Sequence, residues 1–187
     1  MTKNTIGQLL HEAAKQQKIA NVFMKYDEHY YNLIPLKISE RLFLAIKEYD
    51  FIFDGFRISR IRDVKDVRIK NDKCDEIVRS EGLFNDFDIP EIGIDSWYTV
   101  FESLQKIEKN IIVENETPEG IDDEFTIGRI FRVYKNCLYI HHFDADGIWQ
   151  PKPYHIPYTE ITSVTFASRY ADFFSKYIDL CPWYKKG

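Results

Sequence analysis

Two periods of apolar residues divide this chain. Between residues 5 and 17, Ile6, Leu9, Leu10 and Ala13 recur at the spacing of one helix face, with Thr5 placed to cap it. Residues 19–26 then read as a strand and 27–37 as a polar, aromatic loop containing Pro35. The segment 41–56 is apolar, aromatic and short of helix caps, which predicts two strands reversing near Lys47–Asp50. "RISRIR" and "VRIK" alternate polar with apolar residues, the period of half-buried strands, and "DVKD" between them has room only for a tight turn.

The same order returns downstream. Residues 95–109 place Trp97, Val100, Phe101, Leu104 and Ile107 on one helical face, capped by Asp95 or Ser96. "NIIVENE" follows as a strand, and "GRIFRVYKNCLYIHHF" aligns with "ERLFLAIKEYDFIFDG" through Arg41/Arg129, Phe43/Phe131, Lys47/Lys135 and Ile52/Ile140. "RDVKDVRI" (62–69) matches "TEITSVTF" (159–166), with Asp63, Val64, Val67 and Ile69 against Glu160, Ile161, Val164 and Phe166. The alignment changes register only at loops, where insertions are tolerated. The expected fold is therefore mainly β with α, as two tandem helix-plus-five-strand small barrels from an internal duplication. The units span 1–82 and 95–187, joined by an acidic connector at 83–94.

This element order resembles the Sm-like or SH3-like small barrel, the leading helix favouring Sm-like. "YTEITSVTFASR" looks like the last two strands of the bacterial Sm-like RNA chaperones. In that family the two residues before the motif's isoleucine are a lysine and a histidine that contact RNA. Here those positions are Thr159 and Glu160, and Arg62 and Asp63 in the first unit. An acid there repels phosphate. The resemblance thus implies the fold and disfavours the family's RNA binding.

Composition narrows the function. The chain has 187 residues, 44% of them hydrophobic and 16% aromatic, enough for a core. A net charge of −5 gives no general pull toward nucleic acid or anionic lipid. The three cysteines suggest neither a disulfide framework nor a zinc knuckle, and a soluble, cytoplasmic protein is expected, with no membrane or DNA partner. No G-x-S-x-G motif or glycine-rich phosphate loop is present, so no enzyme and no cofactor is expected.

Three groups of residues remain. Arg57, Arg60, Arg62, Lys65, Arg68, Lys70 and Lys73 crowd the end of the first unit, and alternation turns Arg60, Arg62, Arg68 and Lys70 outward. The plain reading is a solvated strand face; the sharper ones are a docking surface matched to the acidic stretch 83–125, or an RNA site. Trp149, Tyr154, Tyr30 and Tyr31 are candidate interface aromatics, with Trp149 the first choice. His142, Asp144 and Asp146 alternate as metal ligands would, with His155 as a fourth, but aspartates beside a glycine turn serve local hydrogen bonds. The leading expectation is a non-enzymatic interaction protein docking another protein or its own copy; the alternative is a weak RNA binder using the outward arginines and Lys70.

Overall fold

The computed structural model describes residues 1–84, 87–118, 120 and 123–182. Asp86, Glu119 and Asp122 of the acidic stretch lie outside them. Helix α1 (Lys3–Gln16) is followed by β1 (Ala20–Met24), β2 (Tyr30–Ile38), β3 (Leu42–Tyr49), β4 (Ile52–Arg60), a 3₁₀ turn (Ile61–Asp63) and β5 (Val64–Ile69). After α2 (Lys73–Ser80), α3 (Trp97–Ile107) leads β6 (Ile111–Asn115), β7 (Glu124–Val133), β8 (Cys137–His142), β9 (Tyr154–Pro157) and β10 (Ser163–Phe166), and α4 (Arg169–Tyr177) follows. No helix among the described residues is long and apolar enough to cross a membrane.

The fold is mainly β with α, as expected, but the sheet corrects the picture of two barrels. All ten strands form one antiparallel sheet, in the order β5-β1-β2-β3-β4-β10-β6-β7-β8-β9. It is open: β5 and β9 are its edges, and among the described residues neither half closes on itself. The reason lies in β4 and β10, which pair with each other and so carry the sheet across the middle of the chain.

Within each half the order is the same, with the fifth strand beside the first. The ladders repeat as well. Ala20 pairs with Leu33 and Ile69 in the first half, and Ile111 with Gly128 and Phe166 in the second. The β2–β3 ladder shifts between Pro35 and Lys37, and the β7–β8 ladder shifts at the equivalent place, between Ile130 and Arg132. Both leading helices end on a left-handed residue that is not glycine, Gln17 and Glu108.

Strand β2 was expected to be a loop. Proline is tolerated in this ladder because it adjoins a bulge, where pairing is already interrupted. Recovering β2 also corrects the alignment: "GRIFRVYKNCLYIHHF" covers β7 and β8, whose counterparts are β2 and β3, not the β3–β4 segment it was matched with. Helix α1 starts earlier than its pattern predicts, with Thr2 rather than Thr5 as the cap.

The core has a corresponding division. Ile6, Leu10 and Ala13 of α1 pack with Val22, Phe43, Ala45, Val64 and Val67. A larger cluster joins the halves: Leu44, Ile46, Phe56 and Ile58 of the first bury with Trp97, Val100, Phe101 and Leu104 of α3 and with Leu138 and Ile140 of the second.

Candidate functional site: the junction between the halves and its basic cleft

Alternation along β4 sends Ile58 to the shared core and Arg57 to the opposite face, where its side chain is 4% exposed. A charge so deep needs partners. Arg57 donates from Nη1 to Glu114 at 2.8 Å, from Nη2 to Glu116 at 3.1 Å and from Nε to Ser59 at 3.2 Å. Its guanidinium lies 4.6 Å above the Tyr31 ring. Ser163 donates to Glu114 at 2.6 Å and Thr162 to Glu116 at 3.0 Å, so the carboxylates are held from β10 and the turn before it. The Tyr31 hydroxyl donates to Asp27 at 2.8 Å.

Burial pushes the Glu116 carboxyl above its ordinary value, Arg57 pulling the other way and the Glu114 charge adding to the rise. Burial would lower Arg57, but Glu114, Tyr26, Glu116 and Tyr31 together hold it above its usual value. Glu116 meets Arg57 and Thr162 through one oxygen and Tyr31, at 3.5 Å, through the other. These contacts tie Glu116 to both halves, which makes the group a clamp between them. Arg57 was counted with the surface cations from sequence; it belongs here instead.

Beside this clamp both halves contribute to a cleft of about 500 Å³. Its cations are Lys3 at the start of α1, Arg41 between β2 and β3, Arg60 at the end of β4, Arg62 in the 3₁₀ turn after it, and Lys135 between β7 and β8. Ser96 and Trp97, at the capped start of α3, form part of the wall, and the helix dipole adds positive potential there. Tyr158 and Thr159, from the turn before β10, complete it. None of its lining residues is acidic. Arg60 is tethered, pairing with Asp63 and donating to the Thr159 carbonyl at 3.0 Å. Lys3, Arg41, Arg62 and Lys135 are exposed, with Asp63 reaching Arg62 only at 3.8 Å. Converging cations on a low-dielectric wall concentrate anions.

The structure thus splits the four cations expected to face outward: Arg62 and Arg68 do, at 66% and 69% side-chain exposure, while Arg60 and Lys70 are folded against their partners at 14% and 15%. Arg60 and Arg62 line the cleft. Arg68 instead pairs with Asp66 at 2.9 Å and lies over Phe23, and Lys70 pairs with Asp72 at 3.4 Å. Sequence reasoning missed Lys3, Arg41 and Lys135, whose common signal is position: each starts a helix or sits in a tight turn at one end of the sheet.

The interface aromatics are also separated. Trp149 is spent within the chain, its indole donating to the Asp179 carbonyl at 2.8 Å and packing on Phe143 beside Phe174 and Ile178. The Tyr154 hydroxyl donates to Glu124, Tyr31 contributes to the Arg57 network, and Tyr30 is 53% exposed against Phe23. At the metal candidate, Asp144 accepts from the backbone of Asp146 and Ile148 and from Gln150, the local turn role, and His142 packs on Tyr154. Among the described residues no three His, Cys, Asp or Glu side chains gather as a metal site would require. The fold does bring His141 and Cys181, distant in sequence, onto one cleft against α3.

Compared with known family models, curated proteins and solved structures, the chain matches none.

Proposed function

We propose that this chain is a non-enzymatic cytoplasmic binding module, built by duplication of one Sm-like helix-plus-five-strand unit, with single-stranded RNA as the ligand of its basic cleft. The repeated strand order and ladder register support the two-unit reading. The observation that carries the ligand is the convergence of Lys3, Arg41, Arg60, Arg62 and Lys135, from both halves, on one cleft free of acidic lining. Those cations offset the acids that stand where the RNA-contacting residues of the Sm-like chaperones would be.

The test is fluorescence anisotropy with a labelled single-stranded RNA across a salt series. Binding should weaken with a log–log slope of about −0.7 per neutralised phosphate, so about −2 to −3 for three or four contacts. Arg41→Glu/Arg62→Glu/Lys135→Glu should lower affinity at least about a hundredfold, since it reverses three of the cleft's five cations. All three are exposed, and the fold should survive. Arg68→Glu, outside the cleft, should bind within about twofold of wild type, as a surface charge remote from the contacts does. Loss of binding in the Arg68 variant equal to that in the triple variant, or no binding by the wild type at low salt, overturns the reading.

A further inference from the structure

The face of the first half that meets α3 has a counterpart in the second half that, among the described residues, no helix covers in the same way. Ladder equivalence carries Leu36, Leu44 and Ile58, which belong to or pack on the shared core, to Phe131, Tyr139 and His155. There Phe131 is 41% exposed, the neighbouring Tyr134 is 43% exposed, and His155 is exposed. The rings form a continuous surface, Tyr134 to Tyr139 at 5.8 Å and Tyr139 to His155 at 5.0 Å. The strand bounding this face, β9, is an edge, and so is β5 at the far end of the sheet. These edges are the counterparts of β4 and β10, the two strands that pair inside the chain.

We propose that the aromatic face and β9 edge of one copy receive the β5 edge and α1 of a second copy, repeating between chains the contact that β4 makes with β10 and α3 within one. The occupant follows from the internal junction, because each chain carries both halves of that contact at its free ends. Charge agrees with the register. Translating Thr165 opposite Arg57 places Arg68 opposite Tyr154, whose hydroxyl is bonded to Glu124. The Arg68 side chain is 69% exposed, and it reaches that aromatic and acidic pair while still bonded to Asp66 through Nε. The contact is heterologous, joining two different surfaces, so it extends beyond a dimer unless a rotation closes it. The basic cleft is not reproduced between copies: equivalence carries Arg41 to Asn136, Arg62 to Thr159 and Lys135 to Glu40, leaving one such cleft per chain.

Sedimentation velocity of the full chain over a concentration series tests this. The wild type should show a mass that rises with concentration past that of a dimer. Tyr139→Glu/His155→Glu should spoil one end and Lys65→Glu/Arg68→Glu the other, each leaving a folded monomer by circular dichroism. Mixed in equal amounts, the two variants should form a dimer and nothing larger, since one intact end of each kind remains. A wild type monomeric at every concentration overturns the proposal, as does a dimer that both variants still form alone. RNA affinity is read separately in the cleft variants, so failure of either proposal leaves the other standing.

Discussion

Strands β4 and β9 occupy the same place in their halves and meet different fates. β4 is a nine-residue strand, lies along β10 in the centre of the sheet, and contributes Arg57 to the clamp with Glu114 and Glu116. β9 has four residues, is preceded by Pro153 and ends on Pro157. Tyr154 stands at the ladder position of Arg57, and Phe23 and Lys25 at those of Glu114 and Glu116. The apolar contact is thus offered at both places, but the buried ionic clamp is built once. The apolar pattern already opposes a one-residue slip, and a buried polar cluster adds a penalty for any pairing that separates its members. The difference teaches that the internal junction carries an ionic lock on its register which the outer edges lack.

Removing the cation gives the largest expected break in this comparison. Arg57→Met leaves two largely buried carboxylates facing each other and should cost about 3–5 kcal/mol in urea unfolding. Arg57→Met/Glu114→Leu/Glu116→Leu should recover most of that loss, because the uncompensated charges leave together. Tyr154→Phe, at the equivalent outer position, removes one hydrogen bond to an exposed carboxylate and should cost less than about 1 kcal/mol. Equal losses in Arg57→Met and Tyr154→Phe would show that the clamp sets nothing apart.

The contrast was only partly open to sequence reading. Periodicity located α1, α3 and most strands, and the "RDVKDVRI" and "TEITSVTF" segments become the fifth strands that flank β1 and β6. Those signals are local, carried by residues in one element. β2 was hidden because proline argues against a central strand unless a bulge is known, and the bulge is visible only in the ladder. The short helices α2 and α4 depend on their caps, Asp72 and Ser168, more than on a long apolar stripe. Arg57 reads as a surface cation until Glu114 and Glu116 are brought to it from the other half. The cleft fails for the same reason: its cations are scattered over separate turns, and only β4–β10 pairing assembles them.

A second, smaller test uses the close approach that the internal junction demands. Gly55 has φ +71°, and a Cβ there would sit 2.4 Å from the Ala167 carbonyl oxygen. Gly55→Ala combines a strained backbone with a collision against backbone, and about 1–3 kcal/mol should be lost in thermal or urea unfolding. Counting back from the Arg57 and Tyr154 equivalence, the matching position in the second half is Lys152, a full side chain just before the edge strand β9. Gly7→Ala is the matched control: the position lies within α1 with nothing inside 4 Å of the added carbon, so about 0.5–1 kcal/mol should be gained. A neutral Gly55→Ala would mean that β4 and β10 can separate without cost.

The smallest effect concerns the proton on Glu116. Its folded pKa is raised, chiefly by burial, so between the ordinary glutamate value of 4.5 and that raised value the folded state holds more proton than the unfolded one. Its contribution to stability is therefore fully present below pH 4.5 and declines as pH rises through the folded value. Glu116→Gln keeps the shape and removes this titration. The stability difference between wild type and Glu116→Gln, measured by urea unfolding from acid to neutral pH, should favour the wild type most in acid and shrink as pH rises. If the wild-type advantage instead grows with pH, attraction to Arg57 outweighs burial, and the clamp gains from the Glu116 charge. Lys25, at the equivalent outer position, provides the control: Lys25→Gln removes no carboxyl group and should leave the pH dependence of unfolding between about pH 4 and pH 7 unchanged.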